Sequence, residues 1–181
     1  AISIRLGARF RYQKMPAGIS PTMGSMANIV IRNFRASLAA RSFRDVLIEN
    51  GIEIAGPVHS EVLPITGQFI SGLPGHPVEN VLLENITITG LTGGGTDKDT
   101  AREIPEIPER YPYHDMFGRL PAYGMYIRHA RNVILRNVSF SREEADARPT
   151  IFTDDVANLR AESVGTSGQW RIVDRADPQK R

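Results

Sequence analysis

One short motif, written five times, constrains this chain more than any other feature. Asn132 to Val138 reads NVILRNV, Asn28 to Phe34 reads NIVIRNF, and Asn80 to Ile86 reads NVLLENI. Asp45 to Ile52 reads DVLIENGI, and Asn158 to Val164 reads NLRAESV, with Ser163 in the second polar place. Each copy sets a polar residue, four mostly apolar or β-branched ones, a second polar residue and an apolar one. A second strand-like run precedes four of the copies: Met125 to Arg128, Ala1 to Leu6, Phe69 to Leu73, and Thr150 to Val156. In the clearest of these, Met125 and Ile127 alternate with Tyr126 and Arg128, the period of a half-buried strand.

Repeats spaced in the tens of residues predict stacked units that cannot bury their apolar faces alone. The wealth of Val, Ile, Thr and Asn and the lack of a 3.6-residue period exclude helical repeats. A leucine-rich repeat would need a helical half, and a left-handed hexapeptide helix an apolar residue at every sixth place. The expectation is an all-β protein, a right-handed parallel β-helix (solenoid) forming an incomplete stack of turns. Equivalent positions then lie about 4.8 Å apart. The two Asn columns become side-chain amide ladders, a structural role.

The repeats run through one domain, 1–181, with an insertion at about 93–124 and a loose tail at about 171–181. The insertion is rich in Gly and Pro and carries Tyr111, Tyr113, Phe117 and Tyr123, the composition of a functional wall or lid. Trp170 is expected to cap the last turn, and Gly72 to Pro77 to form a tight turn. Ile2 already lies in a strand, so the first turn is expected to expose an apolar end at Ile2, Ile4 and Leu6. That end would favour self-association, and would make the chain the C-terminal portion of a longer stack. Aligning the first runs puts Ile4, Ile70, Ile127 and Thr153 inward. Arg5, Ser71, Arg128 and Asp154 then point outward, with Arg128 and Asp154 as neighbours able to form a surface ion pair.

Without cysteine there is no thiolate metal site, and the four histidines lack ligand spacing, so neither metal nor cofactor is expected. No apolar run reaches the roughly 18 residues of a membrane span. A net charge of +2 gives slight support for a polyanionic partner, and no motif points to nucleic acid.

Four segments carry a family resemblance: IRLGARF, SGLPGHPVENVLLENITITGLTGGGT, MFGRLPAYGMYIRHARNVILRNVSF and ARPTIFTDDV. Together they resemble the C-terminal half of bacterial glycoside hydrolase family 28, the polygalacturonase-like pectin hydrolases. The resemblance implies a right-handed parallel β-helix, inverting hydrolysis of galacturonic-acid polysaccharides, an acidic polysaccharide or oligosaccharide as partner, and a periplasmic or secreted location. The family's catalytic signature runs Asn-Thr-Asp, Asp-Asp, Gly-His-Gly, Arg-Ile-Lys, and this chain does not contain it in that order. Asp154-Asp155 and Gly75-His76-Pro77 are partial likenesses, and no catalytic residue is expected among them. Tyr126-Ile127-Arg128-His129 and Ser3-Ile4-Arg5-Leu6 are similar to Arg-Ile-Lys without the Lys. The expected substrate-binding residues are therefore Arg5, Arg128, Tyr126 and Tyr123. Two functions from different classes follow: the C-terminal portion of a pectin-type hydrolase, or a non-catalytic carbohydrate-binding or structural module.

Overall fold

The structure, a computed structural model, describes residues 2–8, 23–38, 67–110, 116–162 and 170–175. Among them, one parallel sheet of seven strands curls into a half-barrel. The strands are β1 (Ser3–Arg5), β2 (Met26–Ser37), β3 (Gln68–Ser71), β4 (Val78–Leu91), β5 (Met125–Arg142), β6 (Ile151–Glu162) and β7 (Ile172–Asp174). A one-turn helix, α1 (Asp97–Ala101), lies in the insertion behind a Thr96–Asp99 capping box.

The strands form two ladders that β5 and β6 traverse in turn. The first ladder pairs β1, β3, the start of β5, the start of β6, and β7. The second pairs β2, β4 and the remainders of β5 and β6. β1 with β2, β3 with β4, β5, β6 and β7 thus make successive rungs. Ile4, Ile70, Ile127 and Thr153 share one position; Arg5, Ser71, Arg128 and Asp154 share the next. This is the register obtained by aligning the short runs. The copy at Asp45 lies outside the described residues.

The long strands bend at fixed corners. Asn28, Asn80, Asn132 and Asn158 have φ of 59°, 54°, 55° and 59°; Asn33, Asn85 and Asn137 have 55°, 55° and 49°. Asn tolerates this left-handed conformation better than other residues with a Cβ, so each of these described Asn places of the motif is a bend. The amides also stack. Asn80 donates to Asn28 at 3.0 Å, Asn132 to Asn80 at 3.0 Å, and Asn158 to Asn132 at 2.9 Å. In the other column, Asn85 donates to Asn33 and Asn137 to Asn85. Asn132→Ala is expected to cost about 2 kcal/mol, from the left-handed corner and two lost hydrogen bonds. Asn132→Gly should cost less, because it keeps the corner. Equal losses for the two variants in urea denaturation would show that corner conformation contributes nothing.

Between corners, residues alternate inward and outward. The inward column pairs Val81 with Val133, Leu83 with Leu135, Ile86 with Val138 and Ile88 with Phe140, all buried in the main core. Trp170 packs against this core, 6.1 Å from the Phe140 ring. On the outer face, the Arg32, Glu84, Arg136 and Glu162 column alternates in charge, with contacts of 2.8–2.9 Å between neighbours.

Three expectations are corrected. The chain beyond 171 is not all loose, because Ile172–Asp174 add β7 to β6. The apolar end foreseen at the first rung is mostly covered, with Ile2 and Leu6 buried and Ile4 half-buried. The first ladder is not half-buried: Phe69, Tyr126, Phe152 and Val173, on its outer face, form a second core with Ile104, Met116, Phe117, Leu120 and Ala122. The insertion covers that face, as both faces of parallel sheets are usually covered.

Candidate functional site

Residues 102–108 cross the outer face of the first ladder along the stack, from the last rung towards the first. Pro105 biases Ile104 to extended backbone, whereas Ile107 before Pro108 is left-handed at φ 34°. The strap joins no strand ladder, so its carbonyls need donors from elsewhere. Arginines of one outward column supply them. Arg175 donates to the Arg102 carbonyl at 2.9 Å. Arg128 donates to Ile104 and Pro105, each at 2.9 Å, and Arg5 to Glu106 at 3.3 Å and Ile107 at 2.5 Å. At the strap's end, the Ala8 N–H donates to the Pro108 carbonyl. Phe117 lies beneath, with the Arg5 and Arg128 guanidiniums 5.1 and 4.7 Å from its ring centroid and Phe69 edge-on at 5.2 Å.

This geometry corrects the expected substrate-binding set. Arg5, Arg128 and Tyr126 do share one face, but it is sealed: their exposures are 9%, 1% and 0%. Burial, and then the neighbouring Arg128, lower Arg5 to about 10. Burial pushes the Tyr126 phenol up, and its hydroxyl donates to Asp154 at 3.3 Å. Tyr123 is not with them; it belongs to the main core, bonded to the Thr150 hydroxyl at 2.9 Å and stacked under Arg142. The ion pair expected between Arg128 and Asp154 is absent among the described residues. Arg128 instead meets Glu106 at 3.3 Å, and Asp154 meets Arg175 at 3.1 Å. The strap supplies the partner that the strand alone did not.

Where the strap crosses the sheet corner, three titratable groups meet. His129 Nδ1 lies 2.7 Å from Asp155 and Nε2 lies 3.0 Å from Glu106. His129 and Asp155 are both left-handed, with φ of 43° and 54°, and occupy the same corner of adjacent rungs. Only an imidazolium can donate to both carboxylates at once. The arrangement is an acid–histidine–acid chain at the surface, with buried Arg128 beside it. An inverting glycosidase needs about 6.5–9.5 Å between its two carboxyl groups, open to sugar and water. Here the imidazole fills the space between Glu106 and Asp155. Gly72 to Pro77 forms the expected turn, closed by reciprocal Leu73 and His76 backbone bonds. Among the described residues, no group of His, Cys, Asp and Glu could hold a metal ion.

Sequence reading missed Glu106 and Arg175. One signal was present: a Pro-containing segment outside the repeat must find donors for its carbonyls, and arginine offers several from one long side chain.

Comparison with protein-family models, curated proteins and solved structures finds no match to this chain.

Proposed function

We propose that this chain is the C-terminal, carbohydrate-contacting portion of a polygalacturonase-like polysaccharide hydrolase, and that its rungs are turns of a right-handed parallel β-helix. The in-register stacking of rungs carries the reading: it repeats equivalent side chains at about 4.8 Å, a surface suited to a repeating polymer. The right-handed hand follows from the strong preference of parallel crossovers. The four family-like segments name the polymer class, an acidic pectin-type polysaccharide.

The second reading, a binding or structural module without hydrolysis, is favoured by one observation. Asp154 is paired with Arg175, Asp146 with Arg148, and Glu106 and Asp155 both with His129. None of these carboxylates forms an open acid–base pair. Oligogalacturonates titrated into the chain should bind, while polygalacturonate should release no reducing ends above buffer. Absence of binding would remove the polysaccharide reading. Reducing-end release that Glu106→Gln abolishes would instead place an active site at the acid–histidine–acid chain.

A further inference from the structure

A groove of about 360 Å³ opens between α1, the start of the strap and the last two rungs. Its floor is apolar, made by Phe152 and Val173. Its walls are polar: Asp97, Thr100 and Glu103 on one side, Arg171 and Arg175 on the other. From this groove we infer a binding subsite for an uncharged sugar ring. It rests on the polysaccharide reading and goes beyond it, because the polymer named there is acidic.

Three observations select the ligand. The first is charge: two carboxylates and two guanidiniums leave the lining formally neutral, so it offers no net attraction to an anion or a cation. The second is the inventory of hydrogen-bonding groups. Arg175 is engaged with Asp154 and the Arg102 carbonyl, and one guanidinium nitrogen of Arg171 with the Ala147 carbonyl. In contrast, no described residue donates to the side chains of Asp97 or Glu103. The Thr100 hydroxyl is buried without a described partner. The open capacity is thus acceptor capacity on the acidic wall with the remaining Arg171 N–H groups opposite, and the complementary ligand carries hydroxyls, which both donate and accept. A uronate replaces one hydroxyl donor with a carboxylate and so offers the acidic wall one donor fewer. The third is shape. The accessible edges of Phe152 and Val173, beside the Arg175 guanidinium 5.4 Å from the Phe152 ring centroid, give a small floor for the C–H face of a pyranose, while its rim hydroxyls reach the acidic wall, the mixed lining typical of small-molecule sites.

Galactose and galacturonate share a ring and differ at carbon 6, so they isolate the charge argument. In saturation-transfer NMR with the full chain, galactose should receive saturation and galacturonate should not. Asp97→Asn combined with Glu103→Gln should reduce the galactose signal at least tenfold. Both side chains are exposed and lack a described partner, so the fold should persist. Galacturonate binding as well as galactose, or a galactose signal unchanged in the double variant, would overturn the subsite. Polygalacturonate titrated in parallel separates the two readings. Polymer binding without a galactose signal overturns the subsite alone, and a galactose signal without polymer binding supports the subsite while removing the acidic-polymer reading.

Discussion

Arg128→Met is expected to release the strap and cost about 2–4 kcal/mol. Methionine fills most of the aliphatic volume of arginine but donates no hydrogen bond. The substitution removes the donors to Ser71 Oγ, the Ile104 carbonyl, the Pro105 carbonyl and Glu106. Each buried polar group left without a partner costs about 1–3 kcal/mol, less where water can reach it. The Pro105 carbonyl and Glu106 are partly accessible, which puts the sum below a simple total. The loss should appear first as local opening, since the rungs keep their own ladders and Asn stacks. Hydrogen exchange at residues 102–107 should therefore accelerate well before the β5 core does. Arg128→Lys should fall between, because one ammonium cannot copy the planar fork. Unchanged exchange in the strap of Arg128→Met would show that Arg128 does not hold it.

Arg148→Met should be the most damaging single change, at about 3–5 kcal/mol, the usual cost of leaving a buried charge without its partner. Arg148 and Asp146 are nearly inaccessible, 3% and 0% by side chain, and meet at 2.7 Å. The pair does more than neutralise itself. Asp146 also accepts from the Gly95 N–H at 3.0 Å, and Arg148 donates to the Leu120 and Ala122 carbonyls at 3.0 and 3.3 Å. Both ends of the insertion are thereby tied to the β5–β6 connection. Gly95 is required for this approach, since a Cβ there would collide with the Arg148 guanidinium. Burial alone would raise the Asp146 carboxyl; bonds from the Arg148 side chain and backbone outweigh it and hold the group below the ordinary aspartate range. The native value being depressed, the stabilisation is complete above the unfolded value of about 3.9 and is lost as pH falls through the native one. In Arg148→Met the carboxylate is buried without its cation, so acid relieves it. Urea denaturation across pH should therefore show the gap between variant and wild type narrowing below about pH 4. A gap independent of pH would separate the stability loss from this ion pair.

Much of the rung geometry was legible in the sequence because side-chain direction in a strand is local. Alternation within FISG and MYIR is enough to pair Ile70 with Ile127 and Ser71 with Arg128, since a one-residue slip would turn every apolar group to the wrong face. The Asn ladders followed from the same alignment. Their left-handed corners were legible too, had Asn been read as a bending residue and not only as a stacking one. The fate of Arg5 and Arg128 was not legible. Period-two logic tells outward from inward, but it cannot tell open surface from a face beneath another segment. That was decided by contacts between residues far apart in the chain, Arg5 with Glu106 and Ile107 and Arg128 with Ile104 and Pro105. The insertion's own sequence announces only that it lies outside the repeat and is short of donors. The acid–histidine–acid chain arose in the same way, with Glu106 brought by the strap to a corner that His129 and Asp155 share. The sequence by itself determined the rungs, their register and the inward residues, because those depend on neighbours along the strand. Only the tertiary structure decided which outward residues meet solvent, because that depends on where a segment without a repeat comes to rest.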